Sequence, residues 1–171
     1  MPFQIRPAEA GDPRTIAHVH IESWKTTYPG IIPEAYIASL KEEDSERRWQ
    51  ERLDLATDAI FVSHDESGIF GFIAGGPIRE AIGNYDGELY AIYLLQQRQQ
   101  QGAGRALVHT LAARLHAQGL KSMIVWALEE NPAVKFYKRL GAVPVMTKTV
   151  SIGGRDLSDL ALGWTSLASL L

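Results

Sequence analysis

The chain has 171 residues, of which 46% are hydrophobic and 22% are charged, and its formal net charge is −3. This composition excludes a disordered chain and predicts one folded domain over residues 1–171. The weak negative charge argues against a nucleic-acid partner, and the absence of cysteine excludes disulfides and a cysteine nucleophile. No apolar run is long enough to cross a membrane and no signal-peptide core is present, so we expect a cytoplasmic protein without a membrane partner.

The first half of the chain is predicted to hold most of the helices, followed by a pair of strands. Its predicted elements are a strand at residues 3–9, a helix from Asp12 and Pro13, a short helix from Pro33, a helix at 44–56, and two strands at 59–64 and 69–76. Asp12 followed by Pro13 is a typical helix start, because aspartate is a preferred N-cap and proline suits the first turn.

The second half alternates strands and helices. Its predicted elements are a strand at residues 88–95, a helix at 102–118, a strand at 122–128, a helix opened by Asn131 and Pro132, and a closing hairpin of strands at 142–152 and 155–164. An antiparallel run followed by strand–helix–strand units predicts an α/β (α+β) fold. Its central sheet is mixed but mostly antiparallel, with helices on both faces.

Two glycines stand in the segment QQQGAG, residues 99–104, between a strand and an amphipathic helix. A helix N-terminus offers unpaired N–H groups and a positive dipole end, which together favour a bound phosphate. The segment is neither a dinucleotide fingerprint, whose third glycine is replaced by Leu107, nor a P-loop, because Arg105 and Ala106 follow Gly104. A plain strand-to-helix turn explains the same glycines equally well.

Gln99-x-x-Gly102-x-Gly104 after a strand resembles the acetyl-CoA pyrophosphate loop of the GNAT superfamily of N-acetyltransferases. The block NPAVKFYKRLGA, residues 131–142, is similar to a second motif of that family, and the resemblance extends over about residues 59–164. It implies a GNAT fold and direct transfer of an acetyl group from acetyl-CoA to a primary amine within a ternary complex. The alternative of another class is a non-catalytic acyl-CoA-binding sensor or structural module.

The resemblance also implies the residues that bind the cosubstrate. They are Leu94, Gln99, Gln100, Gln101, Gly102, Ala103, Gly104, Arg105, Asn131 and Tyr137. Small residues are expected at Gly102 and Gly104 because a Cβ atom would block the approach of the pyrophosphate. The family often has basic residues where this chain has glutamines, so we expect either weaker CoA binding or positive charge supplied by Arg98 and Arg105.

Three groups are implied as catalytic. The backbone N–H of Leu94 would stabilise the oxyanion, Tyr137 would protonate the leaving thiolate, and Glu88 would take the proton of the attacking amine. The residues themselves also allow plainer roles. Tyr137 fits a core tyrosine on an apolar helix face, Glu88 fits a solvated strand end, and Asn131 fits a simple helix cap.

The acceptor is expected to be a small-molecule or peptide amine, which the sequence does not identify further. Trp24 and Tyr28 lie in SWKTTYPGIIPEAY, a segment similar to the N-terminal region of one bacterial branch of the family, and are expected to bind the acceptor unless they only pack. The apolar C-terminus LALGWTSLASLL suggests a possible homodimer. No histidine pattern completes a zinc site, so no metal is expected.

Overall fold

The computed structural model describes residues 2–171 and contains one seven-stranded sheet with the strand order β1-β2-β3-β4-β5-β7-β6. The strands are β1 Gln4–Pro7, β2 Ala59–Asp65, β3 Gly68–Pro77, β4 Gly87–Leu94, β5 Met123–Leu128, β6 Val143–Ile152 and β7 Arg155–Trp164. All neighbouring strands are antiparallel except β4 and β5, which are parallel. The predicted fold class is confirmed.

Five α-helices accompany the sheet: α1 Pro13–Thr27, α2 Glu34–Ser39, α3 Glu42–Leu55, α4 Ala103–Ala117 and α5 Ala133–Arg139. Short 3-10 turns at Gln96–Arg98 and Leu167–Leu170 add to the predicted elements. None of the helices within residues 2–171 has the length and apolar character that a membrane crossing requires.

The helices bury apolar side chains against both faces of the sheet. On one face, Leu107, Leu111 and Leu115 of α4 are fully buried, because residues four apart lie on the same side of a helix. On the other face, Ile16 of α1 and Trp49 of α3 pack in a second cluster against the sheet. The central strands are therefore buried on both sides, which makes their register strongly specified.

Strand β4 departs from regular geometry in two ways. Its pairing with β3 skips Tyr90, since Ala74 is opposite Ala91 while Gly75 is opposite Leu89, so Tyr90 forms a β-bulge. Its parallel pairing with β5 covers only Gly87–Leu89, after which the two strands diverge. The sheet therefore has a gap between β4 and the C-terminal end of β5.

Two expectations about the chain ends need correction. Asp12 stands before α1, but its carboxylate binds Arg6 and accepts the Glu9 N–H at 2.8 Å instead of capping the helix. In the C-terminal segment, Leu162 and Trp164 are buried in the core of this same chain. Their apolar character therefore serves the fold and gives no support to a dimer surface.

Candidate active site

The gap between β4 and β5 exposes backbone groups of β4. Leu95 donates its N–H to the Phe70 carbonyl at 2.9 Å, and Leu94 is opposite Gly71 in β3. Because hydrogen-bonded and non-hydrogen-bonded pairs alternate along antiparallel strands, the N–H groups of Leu94 and Ile92 point away from β3. They face the side from which β5 has diverged.

The carbonyl of Leu94 is held while its N–H stays directed into the gap. Ser23 Oγ of α1 and Gln99 Nε2 each donate a hydrogen bond to the Leu94 carbonyl oxygen at 3.2 Å. These two bonds fix the end of β4 from both sides. The position of the Leu94 N–H is therefore set by α1, by β3 and by the glycine turn.

The glycine turn joins β4 to α4 through backbone conformations that favour glycine. Gly102 has φ +89° and stands immediately before the first residue of α4, and Gln100 has φ +60°. In the described chain no backbone carbonyl outside a regular element accepts the N–H groups of residues 100–105, and the first turn of a helix leaves its own N–H groups unpaired. The turn thus presents donors to solvent at the positive end of α4.

The two glycines have different surroundings within the described chain. A Cβ atom at Gly102 would meet nothing within 4 Å, so its positive φ is what favours glycine there. A Cβ atom at Gly104 would lie 3.3 Å from Phe136 and 3.4 Å from Leu94. Gly104 therefore allows α4 to pack closely against α5 and the end of β4.

Arg98 and Arg105 were both expected to supply positive charge to the glycine turn, and Arg98 differs from this expectation. Arg98 forms an ion pair with Asp65, donates to Ser67 Oγ at 2.7 Å and lies over the Phe70 ring. The Arg98 guanidinium is therefore paired with residues of the β2–β3 turn. Arg105 is exposed, stands in the first turn of α4 and has no ion pair within residues 2–171. Arg105 is therefore the arginine that is placed to meet an anion here.

Tyr137 of α5 is buried, with 5% of its surface exposed, and packs edge-on against Trp164. Burial raises the pKa of its phenol well above the usual value, and the nearby Tyr93 adds to the effect. The hydroxyl is therefore protonated throughout the neutral range. This property suits both a core tyrosine and a proton donor.

Asn131 caps α5 and also reaches across the site. Its Oδ1 accepts the Ala133 N–H at 2.8 Å, and its Nδ2 donates to the Tyr28 hydroxyl at 3.2 Å. The predicted cap is present. The contact with Tyr28 ties the start of α5 to the end of α1, on opposite sides of the gap.

An aromatic cluster follows α1 along the gap. The Trp24 ring lies 4.7 Å from the Tyr28 ring, and His20 stacks on Tyr93 at 4.8 Å. Tyr28 is only 6% exposed, whereas Trp24 is partly buried with an Nε1 that has no hydrogen-bond partner within residues 2–171. The Trp24 Nε1 atom is itself buried, so both Trp24 and Tyr28 are mainly packing residues.

Sequence reasoning missed His20 and Tyr93. Burial lowers the pKa of His20 to about 4, with Arg48 and Arg52 contributing, so the imidazole is neutral near pH 7. Tyr93 lies beside Leu94, and its pKa is raised by burial. The sequence could have placed the Tyr93 side chain on the face opposite to that of Leu94, because neighbouring strand residues point to opposite faces of a sheet.

Glu88 lies at the opposite end of β4 from Leu94 and is almost completely buried, with 3% of its surface exposed. Its Oε2 accepts the backbone N–H of Arg79 at 3.0 Å, and its Oε1 accepts the guanidinium of the same residue at 2.6 Å and 3.2 Å. Both oxygens are therefore engaged. This arrangement does not favour Glu88 as a proton acceptor for a substrate.

Three side chains could together approach a metal ion. Ligand atoms of His18, Glu22 and Glu42 lie within 4.8 Å of one another on the surface of the described chain. Glu42 already binds His18 at 2.9 Å, and Glu22 binds Lys25 at 2.7 Å. These two surface pairs account for the positions of the three side chains.

Comparison with known proteins identifies relatives of the whole chain. The family model described as FR47-like protein matches residues 68–149. The uncharacterized N-acetyltransferase YuaI of Bacillus subtilis (strain 168) is 44% identical over 167 residues, which cover 97% of this chain and 95% of YuaI. This agreement extends over both predicted motifs and the N-terminal helices.

Solved structures share the fold at lower identity. The PaiA N-acetyltransferase of Thermoplasma acidophilum, in complex with coenzyme A, matches with a TM-score of 0.71 and 22% identity over 94% of this chain and 98% of its own. YncA of Salmonella typhimurium, a putative acetyltransferase with its cofactor acetyl-CoA, matches with a TM-score of 0.73 and 19% identity over 96% and 94%.

Proposed function

The chain belongs to the GNAT superfamily of N-acetyltransferases, and on this premise we propose that it transfers the acetyl group of acetyl-CoA to a primary amine. The attack takes place in a ternary complex without a covalent enzyme intermediate. The observation that carries the proposal is the position of the Leu94 N–H. It is directed into the gap between β4 and β5, and the glycine turn with its free donors begins a few residues later.

Both parts of the site suit acetyl-CoA. The donors of residues 100–105 and the exposed Arg105 suit a pyrophosphate, because a helix N-terminus and a guanidinium both favour a bound anion. The backbone N–H groups of Ile92 and Leu94 suit the amides and the thioester of an extended arm. Gln99 and Gln101 donate their side-chain amides to the Leu94 and Gln97 carbonyls, so they brace the turn instead of adding charge.

Leu94 and Tyr137 supply the two groups that the acyl step requires. The Leu94 N–H donates a hydrogen bond to the thioester carbonyl oxygen, and this bond strengthens as negative charge develops there. Tyr137 donates its proton to the departing sulfur, for which its raised pKa keeps it protonated. The preorganised end of β4 supports the first role, since Ser23 and Gln99 fix it.

The acceptor approaches from the face of the sheet that carries α1. Trp24 lies there with a buried indole N–H that has no hydrogen-bond partner within residues 2–171, so a polar group of the acceptor that reached this atom would satisfy the donor. Tyr28 shapes the wall from within the packed cluster and is held by Asn131. With Glu88 engaged by Arg79, we assign the removal of the amine proton to solvent water.

The proposal is tested by the thermal unfolding midpoint with acetyl-CoA, and with ATP and NAD as controls. A ligand at about a hundred times its Kd stabilises by about 2.7 kcal/mol, which is a shift of roughly 5–10 °C for a domain of this size. We expect the shift with acetyl-CoA alone. The absence of any shift would contradict the proposed binding site.

A second measurement separates an enzyme from a binding module. Release of free CoA from acetyl-CoA is followed over a panel of primary amines, with acetyl-CoA alone as the blank. We expect amine-dependent release. A protein that gives the thermal shift but shows no release with any amine would fit the alternative of a non-catalytic acyl-CoA-binding module.

A further inference from the structure

A second set of side chains lies on the acceptor face, beyond the part that α1 covers. Leu128 of β5 packs with Tyr28, so its side chain is on the α1 face of the sheet. Asp159 of β7 is directly opposite Leu128, and Trp126 precedes Leu128 by two residues, so both share that face. These residues line the surface next to the proposed acceptor site.

Asp159 differs from the comparable carboxylates of the sheet. The strand carboxylates that are not exposed are Asp65, Glu88 and Asp159. Asp65 pairs with Arg98 and Glu88 pairs with Arg79, whereas Asp159 has no ion pair within residues 2–171. Burial raises the pKa of Asp159, and Lys148 and the Leu160 N–H oppose this only in part. A partly buried carboxylate without a cation is unfavourable, so a cationic ligand would stabilise it.

The same surface already holds an ammonium group of the chain itself. Lys148 is opposite Asp159 on β6, but its Nζ lies 4.0 Å from the centre of the Trp126 ring and 3.4 Å from Glu80 Oε2. It therefore extends to the indole and leaves Asp159 beyond ion-pair distance. An ammonium on an aromatic face beside carboxylates is a favourable arrangement for a cation.

Building on the proposed amine acetylation, we infer that Asp159 binds a positively charged group of the acceptor, with the indole face of Trp126 beside it. This group is not the reacting nitrogen. β7 is separated from β4 by β5, and two spacings of paired strands are roughly 10 Å, to which the divergence of β4 from β5 adds. A nitrogen that attacks a carbonyl held by Leu94 lies at β4, so the acceptor is a primary amine that carries a second positive charge several bonds away.

Calorimetric binding to the CoA-saturated enzyme tests this inference without requiring turnover. The probes are cadaverine and pentylamine, which share a carbon chain but differ in the second ammonium. We expect cadaverine to bind about tenfold or more tightly, as for a hydrogen bond to a charged group. Asp159→Asn is expected to abolish the preference, while Asp156→Asn, an exposed position on the same strand, retains it.

Equal affinity of the wild type for the two amines, or a preference that survives in Asp159→Asn, would overturn the inference. The acetyl-CoA thermal shift shows whether each variant is folded, and CoA release tests the proposed reaction separately. Should Asp159→Asn not fold, Lys148→Met decides the question, because it removes the competing ammonium from Trp126. Tighter cadaverine binding in Lys148→Met supports the inference, and unchanged or weaker binding overturns it.

Discussion

Asn131 Nδ2 donates a hydrogen bond to the Tyr28 hydroxyl at 3.2 Å, which joins the N-terminus of α5 to the end of α1 across the open side of the sheet. The same side chain caps α5 through the Ala133 N–H. One asparagine thus holds a proposed cosubstrate-binding helix and a proposed acceptor-binding residue in a fixed relation. This double use explains why the position needs an amide with both a donor and an acceptor.

Asn131→Ala is expected to lower the free energy of unfolding by about 1–2 kcal/mol, because it removes a helix cap and a partner of the buried Tyr28 hydroxyl. Asn131→Ser keeps a capping oxygen and should lose less. A double-mutant cycle with Tyr28→Phe, measured by urea unfolding, should show a coupling energy of about 0.5 kcal/mol or more. Strict additivity of Asn131→Ala and Tyr28→Phe would contradict the coupling.

Tyr137→Phe should lower kcat by about 100-fold or more, since a positioned general acid contributes this much, while acetyl-CoA still raises the unfolding midpoint. Phe136→Leu, which changes the neighbouring aromatic residue on α5, serves as the control for altered packing. Steady-state kinetics with a fixed amine give kcat for each variant. An unchanged kcat in Tyr137→Phe would leave Tyr137 as a core residue only.

Gly102→Ala should destabilise the protein by about 1 kcal/mol, because alanine is strained at φ +89°. Gly102→Asn is the matched control, since asparagine tolerates the left-handed region better than alanine does. The midpoint of thermal unfolding without ligand compares the two variants. Equal stability of Gly102→Ala and the wild type would mean that the turn does not depend on this backbone conformation.

Glu88→Gln is expected to lower stability and to leave the pH dependence of kcat/KM unchanged, because the carboxylate binds Arg79 with both oxygens. Arg79→Gln should destabilise at least as much, since it leaves a buried carboxylate without its cation. The pH–rate profile is the deciding measurement. A shift of its acidic limb in Glu88→Gln would restore the role of general base that the family resemblance suggests.

The pH dependence of folding stability should report His20. Its folded pKa of about 4 lies below the ordinary value of 6.5, so the unfolded state binds more protons between these two values. The stabilisation is therefore complete above pH 6.5 and declines by roughly 3 kcal/mol as the pH falls to about 4. Urea unfolding between pH 7 and pH 5 should show this slope, and His20→Phe should flatten it.

Local chain chemistry was enough to predict the parts of the fold that depend on neighbouring residues. Gly119 and Gly141 end their helices with positive φ, and the pair Gly153 and Gly154 turns the last hairpin, as their positions in the sequence suggested. The periodicity of Leu107, Leu111 and Leu115 identified α4. Such features require contacts over a few residues only.

Contacts between distant residues could not be predicted in the same way. Arg79 meets Glu88 because the β3–β4 register places Gly76 opposite Glu88, and a one-residue shift would point the carboxylate to the other face. Arg98 meets Asp65 across 33 positions for a similar reason. Both arginines were available in the sequence, but nothing local indicated whether they bind a substrate anion or a carboxylate of the chain.

The short ladder between β4 and β5 gives the sheet a mechanical asymmetry. Within residues 2–171, the backbone ladder between its first four strands and its last three has only three residue pairs, from Gly87–Met123 to Leu89–Val125. Backbone hydrogen bonds therefore connect the two halves of the sheet at one end only. An extended ligand in the gap between β4 and β5 would contact both halves of the sheet at its open end. This part of the sheet would then be stiffer with such a ligand bound than without it.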